Sequence, residues 1–182
     1  MIEAVIFDLD GTLVDLPVDY AKLFEEIKRI TKKENVHPLL ETVSRLDAKT
    51  RTEVFEVWNK AELEASAKMT INEEGIAVYK KFQQKPKALV TMQGSALTKI
   101  ALKHFQLTFN VTVTREDSLS RVEQLEKASQ KLKTPAQNLL FVGNTEDDSL
   151  AAERAKCQFL KVKSKETARK KFQRETVDKT LK

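Results

Sequence analysis

Short runs of apolar, mostly β-branched residues recur along the chain, separated by stretches with apolar residues at helical spacing. Such a run is typical of a strand buried on both faces, and strands that alternate with helices form parallel sheets. Five runs qualify: Ile2–Phe7, Ala88–Thr91, Asn110–Thr114, Leu139–Gly143 and a shorter one at Phe159–Val162. The pattern therefore predicts the α/β class, with a doubly wound parallel sheet.

Three amphipathic stretches follow the later strands, at Ser95–Phe105, Ser118–Leu132 and Asp147–Lys156. Each is entered through a polar residue that can cap the first turn of a helix. Together with the strands that precede them, these stretches predict three βα units.

An unusually long connection separates the first two predicted strands, at about 80 residues where a βα unit needs only a short one. Its apolar residues recur at helical spacing throughout. We therefore expect a helical lobe at residues 16–83, inserted into a core domain formed by residues 1–15 and 84–182. Trp58 is expected to pack the helices of this lobe against one another.

The composition is that of an ordinary globular protein, with 41% hydrophobic and 32% charged residues among 182. No apolar run approaches the roughly 20 residues of a membrane span, and the N-terminus lacks the layout of a signal peptide. Cys157 is the one cysteine, which excludes an intramolecular disulfide and a cysteine-based zinc site. We expect a cytoplasmic protein without membrane contact.

The net charge of +5 is concentrated at the C-terminal end of the chain. Residues 161–182 carry nine Lys and Arg against three acidic residues. Because Ala168 and Phe172 begin a series at helical spacing, we interpret this segment as the solvated face of a helix, with contact to a polyanion as the alternative. The charge alone does not lead us to expect nucleic-acid binding.

Polar side chains follow the C-terminal ends of four predicted strands, where open α/β sheets bind ligands. They are Asp8, Asp10, Gly11 and Thr12 after the first strand, Thr91 and Gly94 after the second, Thr114, Arg115, Glu116 and Asp117 after the third, and Asn144, Thr145, Glu146, Asp147 and Asp148 after the fourth. The carboxylates after the first and fourth strands are expected to converge. Such oxygen-rich clusters suit Mg²⁺, which favours a few carboxylates with waters and a substrate phosphate. The pattern indicates a site that handles phosphate.

The motifs around these residues resemble those of the haloacid dehalogenase superfamily, in particular its phosphatases with a helical cap inserted after the first motif. The matching segments are Phe7–Leu13, Ala88–Thr91, Val113–Asp117 and Leu140–Asp148. The resemblance implies a Rossmann-like core, Mg²⁺ as cofactor and phosphoryl transfer through an aspartyl-phosphate. Dehalogenases of the superfamily lack an acid at the position of Asp10 and use no metal, so Asp10 favours phosphoryl chemistry.

The resemblance also implies roles for individual residues. Asp8 would attack phosphorus, and Asp10 would protonate the leaving oxygen and then deprotonate the incoming water. The hydroxyl of Thr91, with backbone N–H groups near Leu9 and Gln93, would hold the phosphoryl oxygens.

The third motif departs from the family pattern, because the Lys-Pro dipeptide that often supplies its cation is absent. Arg121 is the best candidate for that cation, since its guanidinium can span a carboxylate and a phosphate. One alternative is that Lys127 supplies the cation. Another is that Arg121 is a surface residue without a role in the site.

The fourth motif departs from the family pattern at Asn144. In the family this position is usually an Asp that binds the metal directly. The metal ligands that the resemblance implies are Asp8, Asp10, Asn144 and Asp148. Asp147 is an alternative to Asp148. Because an amide replaces a carboxylate, we expect weaker Mg²⁺ binding.

The expected activity is that of a cytoplasmic phosphomonoesterase for a small phosphorylated metabolite, with phosphoglycolate phosphatase as the nearest named activity. A phosphomutase and a non-catalytic binding or regulatory protein remain as alternatives. Leu16 and Tyr20, just past the first motif, are candidates for substrate selection. His37 and His104 have no neighbours in sequence that would give either a role, and no oligomeric state is indicated.

Overall fold

The computed structural model describes residues 1–164, which form one parallel sheet with helices on both faces. In chain order the elements are β1 (Ala4–Phe7), β2 (Val14–Asp15), α1 (Tyr20–Thr31), α2 (Leu39–Ser44), α3 (Ala48–Ser66), β3 (Thr70–Ile71), α4 (Glu73–Lys81), β4 (Lys87–Val90), α5 (Ser95–His104), β5 (Val111–Val113), α6 (Arg121–Leu132), β6 (Leu139–Gly143), α7 (Glu146–Arg154) and β7 (Gln158–Lys161).

The main sheet has five strands in the spatial order β5-β4-β1-β6-β7, and every neighbouring pair is parallel. Each strand that the sequence predicts is confirmed, with ends that differ by no more than about two residues, as is usual for strand boundaries. The predicted α/β class with a doubly wound parallel sheet is therefore confirmed.

Side chains of the central strand β1 point alternately into two apolar clusters, one on each face of the sheet. Val5 and Phe7 lie in the cluster covered by α4 and α5. Ala4 and Ile6 lie in the cluster covered by α6 and α7. Burial on both faces explains why β1, β4 and β6 are nearly continuous apolar runs.

The three predicted βα units are present, and side-chain caps set where α6 and α7 begin. Ser120 precedes α6, and its Oγ accepts the backbone N–H of Glu123. Thr145 precedes α7 and forms a reciprocal capping box with Asp148. The predicted starts of these two helices lie within about three residues of the caps, whereas α5 begins after Gly94 without a side-chain cap.

The inserted helices α1, α2 and α3 pack around an apolar cluster of their own. Its buried members include Leu23 and Ile27 of α1, Val43 of α2, and Val54 and Trp58 of α3. The predicted packing role of Trp58 is confirmed.

Helix α4 packs on the sheet rather than on the inserted helices. The ring centroid of Tyr79 lies 5.7 Å from that of Phe7. Just before α4, strands β2 and β3 form a two-stranded antiparallel ribbon that pairs Asp15 with Thr70. The division at residues 16–83 stays a prediction, and these contacts place α4 with the sheet.

Within residues 1–164, no helix combines the length and the apolar character needed to cross a membrane. The helical face predicted around Ala168 and Phe172 lies outside the described residues. The expected cytoplasmic location stays a prediction.

Candidate active site

Asp8 directly follows β1 at the C-terminal edge of the sheet and is 3% exposed. Its backbone N–H donates to the Val142 carbonyl of β6 at 3.0 Å. The strand order reverses between β1 and β6, and open α/β sheets bind ligands at such a switch point. The predicted nucleophile therefore lies where the topology places a ligand.

The chain turns sharply after Asp8. The Leu9 carbonyl accepts the N–H groups of residues 12–14 at distances between 2.9 and 3.3 Å. Gly11 completes the turn with a φ of +76°, and a Cβ there would lie 2.3 Å from Asn144 Nδ2. Glycine is required here because the backbone of residue 11 has a left-handed conformation and because the Asn144 side chain packs directly against it.

Thr12 links the first and fourth motifs across the site. Its Oγ1 lies 3.2 Å from Asp8 Oδ2 and 3.1 Å from Asn144 Oδ1. The two acceptors therefore face one hydroxyl, which has a single proton to donate. Asn144 Nδ2 donates to Ser164 Oγ at 3.4 Å, while the amide oxygen is turned toward the Thr12 hydroxyl.

Arg121, the first residue of α6, contacts the predicted nucleophile directly. Its Nη2 donates to Asp8 Oδ1 at 2.8 Å, and its Nε lies 3.3 Å from Asp148 Oδ1. The side chain is 17% exposed, so this is not a merely exposed arginine. Lys127, the alternative cation, instead donates to the Asp117 carbonyl.

Asp148 has both carboxylate oxygens engaged by protein groups. Oδ2 accepts the N–H of Asn144 at 3.3 Å, and the N–H and hydroxyl of Thr145 at 3.1 and 2.7 Å. Oδ1 faces Arg121. These contacts suit a residue that orients Arg121 and Asn144 better than a direct metal ligand, and the alternative Asp147 is exposed.

Asp10 lies two residues beyond the nucleophile and is half-buried. The backbone N–H of Leu16 donates to its Oδ1 at 2.9 Å, which orients the carboxyl group. The Leu16 side chain packs in the apolar cluster of the sheet, so it does not suit a role in substrate selection. Tyr20 packs beside Phe24, with ring centroids 6.0 Å apart.

Thr91 and Gln93 lie together just beyond β4, and both are buried. The Thr91 hydroxyl donates to Gln93 Oε1 at 2.6 Å, and the Gln93 N–H donates back to Thr91 Oγ1 at 3.2 Å. A phosphoryl oxygen bound by this hydroxyl would take the place of the Gln93 amide oxygen.

Gln124 is a site residue that the sequence analysis missed. Its Nε2 lies within hydrogen-bonding distance of the carbonyls of Thr91 (2.9 Å), Ser118 (2.9 Å) and Thr114 (3.2 Å). Its Oε1 accepts Nη1 of Arg121 at 3.0 Å. The only sequence signal is an amide three residues after a candidate cation on the same helix, which is common on helix surfaces.

The electrostatic environment raises the pKa of Asp8, so its carboxyl group is a weaker acid than an ordinary aspartate. Burial raises the pKa of its carboxyl group from 3.8 to about 6, and the negative charge of Asp148 adds to the increase. Arg121 is the strongest influence that lowers the pKa, followed by hydrogen bonds from the Leu9 N–H and the Thr12 hydroxyl. A further positive charge beside Asp8 would favour the ionised nucleophile.

The oxygen atoms around Asp8 are donors that suit a hard cation, although few of them belong to charged carboxylates. Within residues 1–164, no group of three His, Cys, Asp or Glu side chains is arranged to hold a metal ion. Mg²⁺, however, takes one or two carboxylates, neutral oxygens and waters. Asp8 offers a carboxylate oxygen and Asn144 a neutral amide oxygen on either side of the Thr12 hydroxyl, which is compatible with this preference.

A model of the haloacid dehalogenase-like hydrolase family matches residues 5–162, which include every predicted site residue. The chain belongs to this family. The resemblance seen in the motifs is thereby confirmed, and the structure is that of a haloacid dehalogenase-like hydrolase with helices inserted after the first motif.

Several solved structures share this fold. A hydrolase from Pseudomonas syringae has a TM-score of 0.70 and 20% identity, covering 87% of this chain and 84% of its own. A proposed phosphoglycolate phosphatase from Lactobacillus plantarum has a TM-score of 0.65 and 18% identity, covering 87% and 86%. CbbY from Rhodobacter sphaeroides, in complex with phosphate, has a TM-score of 0.63 and 14% identity, covering 87% and 85%. No curated protein sequence matches the chain.

Proposed function

We propose that this hydrolase is a Mg²⁺-dependent phosphomonoesterase that forms an aspartyl-phosphate on Asp8. The observation that carries the proposal is the 2.8 Å contact between Arg121 Nη2 and Asp8 Oδ1 at the end of β1. A cation held beside a buried carboxylate suits an anionic substrate, whose charge the guanidinium offsets as the carboxylate approaches phosphorus.

In the first step, an Asp8 oxygen attacks phosphorus while the bond from phosphorus to the leaving oxygen breaks. Asp10 gives its proton to that oxygen, so the product leaves as a neutral alcohol. In the second step, Asp10 accepts a proton from water, and the hydroxyl oxygen attacks phosphorus and releases Asp8 with inorganic phosphate. The Leu16 N–H keeps the Asp10 carboxyl group in place through both transfers.

The Thr91 hydroxyl and the N–H groups of Leu9 and Gln93 supply donors for the phosphoryl oxygens. Arg121 stays attached to Asp148 and Gln124 while it contacts the substrate, so its position is fixed before binding. Fixed donors of this kind stabilise charge without reorganisation during the reaction.

The residues that would hold Mg²⁺ are Asp8, Asp10 and Asn144, with Asp148 acting through its contacts to Asn144 and Arg121. When bound, the ion would neutralise charge on the phosphoryl oxygens and on Asp8. We propose weaker affinity than in a site with an additional carboxylate.

The substrate that we propose is a small phosphorylated metabolite, with phosphoglycolate as the first compound to test. The support is limited to fold: one structural neighbour carries a proposed phosphoglycolate phosphatase activity, and another holds phosphate. A non-catalytic binding protein of the same fold is the second candidate, and the amide at Asn144 is the observation that favours it. We also propose a location in the cytoplasm.

Hydrolysis of para-nitrophenyl phosphate, measured with chelator and across a range of Mg²⁺ concentrations, tests the proposal. The wild type should hydrolyse it only with the metal, and Asp8→Asn should abolish the reaction. Asp147→Asn is the matched control, because Asp147 is exposed at the same edge of the sheet. A wild type inactive at every metal concentration would leave the binding protein as the function, and activity that survives Asp8→Asn would exclude Asp8 as the nucleophile.

A further inference from the structure

A buried ion pair joins the inserted helix α3 to the segment that follows β5. The side chains of Glu62 and Arg115 are fully buried, with Nη1 to Oε1 at 2.5 Å and Nη2 to Oε2 at 3.1 Å. The guanidinium carbon lies 4.3 Å from the ring centre of Trp58. Because buried ion pairs rarely stabilise a fold more than apolar residues of equal size, the other contacts of this pair are informative.

Besides its contacts within α3, the pair binds residues 91–94, which we call the phosphate loop. Glu62 Oε2 accepts the Gly94 N–H at 3.0 Å, and Arg115 Nη1 donates to the Met92 carbonyl at 3.1 Å. The backbone N–H of Arg115 donates to the Gln93 carbonyl at 3.4 Å. The pair and its backbone therefore bind polar groups of three consecutive loop residues.

The loop and α3 are also in close steric contact. A Cβ at Gly94 would lie 2.1 Å from Asn59 Oδ1 and 2.8 Å from Arg115 Nη2. These two atoms are hydrogen-bonded to one another at 2.5 Å. Only a glycine allows α3 to approach the loop this closely.

We propose that Glu62 and Arg115 are positioning residues that hold the phosphate loop in its binding conformation, so that the inserted helix α3 completes the phosphoryl site. This inference rests on the proposed function, because the phosphoryl group is the ligand of the loop. The Met92 carbonyl and the Gln93 N–H belong to one planar peptide unit, so the contact from Arg115 to that carbonyl helps to fix the direction of the N–H, which also donates to Thr91 Oγ1. Neither Glu62 nor Arg115 contacts Asp8, and the pair acts on the substrate only through the loop.

A purely structural role makes a different prediction from a positioning role. Apolar residues of similar size can fill the space of the ion pair and leave no unpaired buried charge. They cannot bind the Met92 carbonyl or the Gly94 N–H, so the loop loses its two tethers while the packing is kept. The double variant Glu62→Leu/Arg115→Met separates the two roles.

The experiment measures the affinity of the Mg²⁺-loaded full chain for inorganic phosphate by calorimetry, and hydrogen exchange at the Gln93 and Gly94 amides. The double variant should bind phosphate about tenfold or more weakly, as expected for two lost hydrogen bonds, and exchange both amides faster. Glu62→Gln, which keeps an acceptor for Gly94, is expected to fall between the wild type and the double variant. Glu64→Leu is the control, because Glu64 lies on the same helix but is exposed and forms a surface ion pair with Lys22.

Unchanged phosphate affinity and unchanged amide exchange in the double variant would overturn the inference. If the double variant fails to fold, Glu62→Gln decides in the same way, and wild-type affinity in that variant would also overturn it. If the wild type hydrolyses phosphomonoesters and the folded double variant keeps the wild-type affinity for inorganic phosphate, this inference alone is refuted. If the wild type neither binds inorganic phosphate nor hydrolyses phosphomonoesters, the proposed function and the inference are refuted together.

Discussion

Asp8 combines a buried position with a carboxyl group that must be ionised to act as a nucleophile. Its pKa of about 6 lies above the value of 3.8 expected in the unfolded chain. Ionisation therefore costs folding stability: the cost is absent below about pH 4, grows as the pH rises toward 6, and is complete above it. At neutral pH the free energy of unfolding of the metal-free protein is therefore lowered, because the buried nucleophile is ionised.

The substitution Asp8→Asn removes the ionisable group and keeps the shape of the side chain. In the presence of chelator at pH 8, the variant should be more stable than the wild type by about 3 kcal/mol or less, since one pKa unit corresponds to about 1.4 kcal/mol. Thermal unfolding at pH values from 4 to 8 would measure the difference, which should shrink as the pH falls. Mg²⁺ should then raise the melting temperature of the wild type more than that of the variant. A gap between the two proteins that does not change with pH would contradict the raised pKa.

Asn144 places an amide at the position where the resemblance in the motifs implies a carboxylate ligand. The variant Asn144→Asp adds a charged oxygen beside the Asp8 oxygen that faces Thr12, so it should lower the Mg²⁺ concentration needed for half-maximal rate by about tenfold. Metal titrations of para-nitrophenyl phosphate hydrolysis measure the change. The exposed Asp147→Asn serves as control, and an unchanged metal requirement in Asn144→Asp would mean that residue 144 is not a ligand.

Several site residues are predictable from the sequence because short-range pattern and strand topology place them. The motif around Asp8 marks the end of the first strand, and the polar segment around Asn144 marks the end of a neighbouring strand; the structure brings both to one hydroxyl. Gln124 and Glu62 are different. Each is a polar residue within an amphipathic helix, and only long-range packing shows that these two positions face inward.

At the scale of elements, Gln124 ties helix α6 to the ends of β4 and β5 through hydrogen bonds to the Thr91 and Thr114 carbonyls. The variant Gln124→Leu should lower the free energy of unfolding by about 2 to 4 kcal/mol, because the Thr91 and Ser118 carbonyls lose their side-chain donor, whereas the Thr114 carbonyl keeps two backbone donors. It should also reduce activity, because Arg121 loses one of its supports. Chemical denaturation and hydrolysis assays test both effects.

The matched control for that variant is Gln130→Leu, which changes an exposed glutamine on the same helix. It should leave stability within about 0.5 kcal/mol of the wild type, as surface substitutions usually do. Equal losses in the two variants would show that the helix tolerates leucine poorly anywhere, and that the three carbonyl contacts are not the cause.

The strands and the later helices are predictable as elements because burial on two faces leaves a continuous apolar run and because caps are local signals. The ribbon of β2 and β3 is not, since strands of two residues are too short to show a period. Helix α4 is predictable as a helix, but its partner is not. An apolar stripe has the same pattern whether it packs on the inserted helices or, as Tyr79 does, on the sheet.

At the scale of the whole molecule, all predicted site residues lie within residues 5–162. A chain that ends at Ser164 should therefore keep phosphatase activity within about twofold of the full chain, as expected when a removed terminal segment contributes no site residue. Any binding of heparin, a polyanion, should be weaker in the shortened chain, because most of the Lys and Arg residues of 161–182 are removed. Loss of folding on shortening would show instead that the terminal segment supports the fold.

The ribbon of β2 and β3 also has an evolutionary meaning. Because Asp15 and Thr70 are paired across it, the inserted segment leaves and re-enters the core at one place, about 5 Å apart. Recombination could exchange such a segment without breaking the sheet. Glu62 limits that freedom, because a replacement segment that lacks it would leave the Arg115 guanidinium buried without its carboxylate. The two residues are therefore expected to have been acquired, and to be lost, together.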